Sequence, residues 1–191
     1  MDSIILMGIK HCGKTSQSKL LSSRLNMERF DTDDVIKNLT GLTPREICNL
    51  KDEEAFKIAE RDACKYIADY LTKEETDAVI ATGGGICNNS QALKILHKLG
   101  KFVFLKTEER IACDRIIREA VVVADGTITN IPSYIAKKNP STLMEVREIF
   151  HPFYVERVKI YASLADISVN MDDSSKASNT QKILKALGKD F

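Results

Sequence analysis

Residues 4–16 read IILMGIKHCGKTS, and the reading of this stretch decides the fold. Ile4, Ile5, Leu6 and Met7 make an apolar run of the length of a short buried strand. Gly8 follows, and four residues later comes Gly13-Lys14-Thr15, the G-x-x-x-x-G-K-T spacing of a phosphate-binding loop. In such a loop the backbone N–H groups turn inward around a triphosphate, and the lysine, here Lys14, reaches its terminal phosphates. Gly13 lets the main chain approach the phosphate oxygens with no Cβ in the way. A helix opening near Thr15 adds its partial positive charge, and the Thr15 hydroxyl is placed for Mg²⁺. Gly8, Lys10, His11, Cys12, Gly13, Lys14, Thr15 and Ser16 are therefore the expected nucleotide-binding residues. The bland alternative is a glycine-rich turn that binds nothing. A strand pattern before the loop and a helix pattern after it count against that alternative.

Outward from this stretch, 191 residues with 43% hydrophobic and 29% charged content suit one soluble domain spanning 1–191. A formal net charge of +1 exerts no long-range pull on nucleic acid or an anionic membrane. Cys12, Cys48, Cys64, Cys87 and Cys113 are odd in number and form no CxxC pair, which implies free thiols in a reducing compartment. No cationic leader is visible, and no apolar run approaches the roughly eighteen residues of a membrane span. A cytoplasmic monomer with neither a nucleic-acid nor a membrane partner is expected.

Strand and helix patterns alternate along the chain. A helix is predicted over 15–26, a strand over 27–30, and a brief helix over 35–39 closed by Gly41. Thr43-Pro44-Arg45-Glu46 carries a helix start with a capping box. A longer helix over 53–71 sets Ala55, Ala59, Ala63, Tyr66, Ile67 and Tyr70 along one side. Residues 78–82 read as a buried strand broken by Gly83-Gly84-Gly85. A helix over 89–99, a strand over 101–105 and a helix over 107–118 follow. From about 119 to 140 the pattern weakens, as expected for a mobile lid. A helical segment then runs to about 163 with a break or kink at Pro152, followed by a strand over 166–170 and a helix over 175–187. This alternation predicts an α/β fold: a parallel sheet with helices on both faces and sites at the strand C-termini.

Phosphoryl transfer to a hydroxyl also needs a metal carboxylate, a group that positions the acceptor, and exclusion of water. Asp31 and Asp33 alternate along an extended segment, so that one can turn to Mg²⁺ and the other to an acceptor. Asp33 or Asp34 could instead cap the 35–39 helix. Gly83, Gly84 and Gly85 could be a plain turn, or bare backbone against which a substrate lies.

Taken in order, GIKHCGKTS, FDTDDVI, TGLTPREI, EEAFKIAE, VIATGGGI, FVFLK and RVKIYASLADISV resemble the shikimate kinase family of small P-loop kinases over nearly the whole chain. The resemblance implies ATP and Mg²⁺ as cofactors, with Lys14 and Thr15 on the phosphates and metal and Asp31 on the metal. It implies Asp33 as the acceptor-binding carboxylate, the triple glycine as pocket lining, Arg115 against adenine and Arg157 on a substrate carboxylate. Two positions depart from the family pattern. Lys57 stands where the family carries a carboxylate-forking arginine, and a lysine lacks the bidentate fork. Ile131-Pro132 stands where the lid carries Arg-Pro, leaving Arg118, Lys137 or Lys138 to supply the charge. A kinase acting on a small hydroxylated molecule is expected, with shikimate as acceptor. Alternatives are a polyol kinase and a nucleotide-binding regulator without turnover.

Overall fold

The first apolar run becomes β1 (Ser3–Met7), buried along its whole length. The computed structural model describes residues 2–189, so Met1, Asp190 and Phe191 of the expected 1–191 domain lie outside the described residues. After β1 come α1 (Lys14–Leu25), β2 (Glu28–Asp31), α2 (Thr32–Thr40), α3 (Pro44–Leu50), α4 (Glu53–Lys73) and β3 (Ala78–Ala81). A 3₁₀ turn at Ile86–Asn88 leads into α5 (Ser90–Leu96), β4 (Gly100–Thr107) and α6 (Glu109–Glu119). The chain continues through β5 (Val121–Val122), β6 (Ile128–Thr129), α7 (Ser133–Ala136), α8 (Leu143–Leu164), β7 (Ile167–Met171) and α9 (Lys176–Ala186).

The main sheet has the order β2-β3-β1-β4-β7, and its pairings are parallel. β1 and β3 are apolar and buried at every described position save the small polar Ser3, as expected of strands covered on both faces. Helices flank the sheet, so the predicted fold class is the observed one. β1 lies between β3 and β4. The connection out of β1 runs toward the β2 edge and that out of β3 toward β4 on the other side, so the loops after Met7 and Ala81 open at the crevice where such sheets bind ligands.

Four local readings are corrected. Residues 31–34 are not an extended run: β2 ends at Asp31, which caps α2 by accepting the Asp33 N–H at 3.2 Å, so Asp33 rides the first helical turn. Neither Asp33 nor Asp34 is the cap. Pro152 does not end α8, which continues through it. The loss of one N–H is local, and Val146 and Phe150 before it, with Arg157 and Tyr161 after it, remain buried. Tyr66 leaves the buried side of α4 and is 48% exposed, whereas Glu60, Cys64 and Leu71 join it. The weakly patterned stretch after α6 holds an antiparallel ribbon of β5 and β6, followed by α7. Its apolar side chains Ile128, Ile131 and Ile135 are part of the core.

Candidate active site

The C-terminal ends of β1, β2 and β3 converge on a cavity of about 840 Å³. Gly8 has φ of +148°, and a Cβ there would lie 2.7 Å from Cys12 Sγ and 2.9 Å from the Leu105 carbonyl oxygen. Only glycine lets the chain leave β1 at this angle. Gly13, at φ +100°, turns the loop into α1. Between them the Lys14 ammonium donates to the carbonyls of Gly8 at 2.8 Å and Ile9 at 2.9 Å, bracing the loop from within. Lys10, His11, Cys12, Gly13, Lys14, Thr15 and Ser16 line the cavity, whereas Gly8 does not.

The Thr15 hydroxyl donates to Asp31 Oδ2 at 2.9 Å, joining the start of α1 to the end of β2. Among the described residues no cluster of His, Cys, Asp and Glu could hold a metal by itself. A hydroxyl beside one carboxylate still fits Mg²⁺, which keeps several waters and takes phosphate oxygens as ligands.

Asp33 lies in the same cavity, and α2 is tied to the triple glycine by a bond from the Gly83 N–H to Thr32 Oγ1 at 3.0 Å. A Cβ on Gly83 would sit 3.1 Å from both Asp33 Oδ1 and Glu60 Oε1, so the bare backbone is what admits these two carboxyls. Gly84 approaches the phosphate loop in the same way, 3.1 Å from the Lys10 nitrogen by the same construction. Its carbonyl accepts the Tyr161 hydroxyl at 2.9 Å. Desolvation in the cleft, with the charge of Asp31 second, pushes the Asp33 carboxyl up to about 6, while Lys14 and Lys10 pull the other way. The side chain still meets solvent inside the cleft, which tempers the shift until a ligand fills it.

Glu60 is 1% exposed. Burial pushes it up to about 7, against one hydrogen bond from Asn89 Nδ2 to Oε2 at 3.0 Å. Its Oε1 has no hydrogen-bond partner among the described residues. Arg157, 7% exposed, donates to Cys87 Sγ at 2.7 Å and lies 4.6 Å from the Phe153 ring centre. Phe153 in turn stacks on Tyr134 of α7 at 3.5 Å. At the far end Arg115 donates to the His11 carbonyl at 2.8 Å and approaches Asp173 at 3.5 Å.

Thus Asp31, Asp33, Lys57, Gly83, Gly84, Gly85, Arg115 and Arg157 line one cavity with the phosphate loop. Lys57 is turned to Glu53, 3.8 Å away. Ile131 does not line the cavity; its side chain is 2% exposed in the core. Of the cations considered for the missing lid charge, Lys137 lines the cavity and Arg118 and Lys138 do not. The sequence reading overlooked Arg45, Phe56, Glu60, Tyr134, Phe153 and the wall at Met171, Asp172, Ser174, Lys176 and Asn179. A glutamate at an inward position of α4 was a usable signal for Glu60. Arg45 was hidden within a capping motif, and the 171–179 wall is brought in only by the sheet order.

A model of the shikimate kinase family matches residues 10–188. The chain is 29% identical over 189 residues to shikimate kinase 1 of Erwinia tasmaniensis, covering 98% of this chain and 96% of that one. It is 28% identical over 188 residues to the shikimate kinase of Blochmanniella floridana, covering 97% and 92%. The structure of shikimate kinase from Aquifex aeolicus superposes with a TM-score of 0.69 at 28% identity, covering 97% of this chain and 96% of that one. That of the Acinetobacter baumannii shikimate kinase in complex with shikimate gives 0.74 at 23% identity, covering 98% and 93%, a likeness of fold.

Proposed function

The chain belongs to the shikimate kinase family, and from that premise we propose that it transfers the γ-phosphoryl group of ATP to a hydroxyl of shikimate. The observation that carries the choice of acceptor is Arg157. It is a buried guanidinium with no carboxylate within 4.0 Å among the described residues. A charge removed from water without an ionic partner is costly, and a carboxylate-bearing acceptor supplies that partner. A neutral sugar alcohol does not, and a regulator without turnover has no chemical need for Asp33 between Lys14 and the triple glycine.

In this reading the phosphate loop and Lys14 hold the triphosphate, and Arg115 flanks the base. Thr15 and Asp31 would hold Mg²⁺, which would offset the negative charge of the phosphates. Asp33 orients the acceptor hydroxyl and takes its proton as the oxygen attacks the γ-phosphorus and ADP departs with the bridging oxygen. Arg157, with Lys57 as a point charge nearby, receives the acceptor carboxylate. The 119–140 segment excludes water as it closes, so the γ-phosphate meets the hydroxyl and not the solvent. Free thiols throughout the described residues support a cytoplasmic setting.

ADP release measured with shikimate, ribitol and a panel of hydroxy acids tests the reading. Shikimate should stimulate turnover well above every neutral alcohol. A neutral polyol that outperforms it overturns the acceptor, and stimulation by none of them overturns the enzyme.

A further inference from the structure

The 119–140 segment contains no arginine, and it brings to the cavity the Lys137 ammonium, a point charge without a planar fork. Ile131 is buried with its side chain in the core, and Arg118 and Lys138 lie outside the cavity. A different element fills the gap. Arg45 projects from the first turn of α3 into the cavity that holds Lys10 and Lys14. One of its Nη2 protons is donated to the Ile131 carbonyl at 2.8 Å. No carboxylate lies within 4.0 Å of it among the described residues. A guanidinium carries five N–H donors in a planar fork, so most of its donors remain free to receive an anion's oxygens.

Its surroundings sharpen the case. The charge of Arg45 is felt at Lys10, whose ammonium is held below its usual range by burial first and by Arg45 next. Two cations that repel each other across a cleft gain from an anion between them, and here the phosphate loop forms the floor of that cleft. The start of a helix also disfavours a cation, so local structure gives no reason for an arginine there.

We propose that Arg45 is the guanidinium that contacts the γ-phosphoryl group as it transfers, reaching it from α3 in place of a residue on the 119–140 segment. Its bond to the Ile131 carbonyl ties that contact to the position of the segment. This rests on the kinase reading above, and it adds a catalytic group that the family likeness does not supply.

Arg45→Gln is the variant of choice, because glutamine keeps an N–H for the Ile131 carbonyl and removes the charge. Relative to wild type, kcat with shikimate should fall about ten- to a hundredfold, the size of one lost charge-assisted hydrogen bond. Affinity for a non-hydrolysable ATP analogue should fall while affinity for ADP, which lacks the γ-phosphate, stays unchanged. Added guanidinium should restore part of the turnover of Arg45→Ala. An Arg45→Gln enzyme with wild-type kcat and an unchanged preference for the analogue over ADP would overturn the proposal, leaving Arg45 a pin for the segment. A raised shikimate KM with kcat and nucleotide binding intact would also overturn it, moving Arg45 to the acceptor side. If wild type itself turns over no acceptor, the kinase reading fails, and the comparison of analogue with ADP still decides the role of Arg45.

Discussion

Asp33 and Glu60 share the space that Gly83 leaves open, yet their surroundings assign them different work. Asp33 lies in the cavity with Lys14, and desolvation raises it to about 6. In its proposed role as base it must be ionised, so kcat/KM should decline as pH drops through about 6 and level off above it. A profile flat from pH ~5 to ~8 would contradict the role. Asp33→Asn should remove turnover while leaving ADP affinity, measured by titration calorimetry, nearly unchanged. Glu60 is buried, with one oxygen unpartnered among the described residues. Its folded-state pKa of about 7 stands above the ordinary 4.5. The unfolded chain therefore ionises first as pH rises, and stability is lost between those two values and stays reduced above the higher one. Glu60→Gln should stabilise the ligand-free protein at pH 8 by roughly 1–3 kcal/mol in denaturant titrations and by almost nothing at pH 4. Equal effects at both pH values would place the cause in packing.

At the scale of elements, the segment between α6 and α8 differs most from what the sequence suggested. Its polar punctuation at Asp125-Gly126 and Asn139-Pro140 carries no strand or helix pattern and reads as an irregular lid. Isolated isoleucines in such a run carry no periodicity, so the docking of Ile128, Ile131 and Ile135 into the core was illegible. The capping box at Thr43 and Glu46 was legible because it is a purely local device, and both of its bonds are present. The docking has a consequence for repair by homology. Ile131→Arg, which restores the arginine of the family pattern, would force a guanidinium into an apolar site. It should lower unfolding stability by about 3 kcal/mol or more without raising kcat. A more active and equally stable Ile131→Arg enzyme would show that the segment turns that position toward the cavity.

For the molecule as a whole, order along the chain and neighbourhood in space diverge, and this sets the limit of reading by eye. Local signals for strands, helices and the phosphate loop sufficed for the fold class, since Gly8, Gly13 and Lys14 each have one conformational job. The cavity wall at residues 171–179 and the approach of Arg45 to Ile131 depend on long-range packing that no short window contains. A nucleotide held in the cavity as proposed would touch these separate pieces and should stabilise them together. A nucleotide at a hundred times its Kd adds about 2.7 kcal/mol to unfolding if it binds only the folded state. Thermal unfolding followed with increasing ADP should show a rising Tm, and a constant Tm would deny a preformed site.

The place of β1 in the sheet also governs assembly. Ile4 pairs with Val79, and Ser3 pairs with Gly100, so the strand that leads into the phosphate loop meets its neighbours only from far downstream. While the polypeptide is being made, that strand must wait beside the ribosome for Ala78–Ala81 on one side and for Gly100–Thr107, just past the middle of the chain, on the other. A truncated product ending before β4 would carry the whole loop motif and still have no rigid frame on which to shape it.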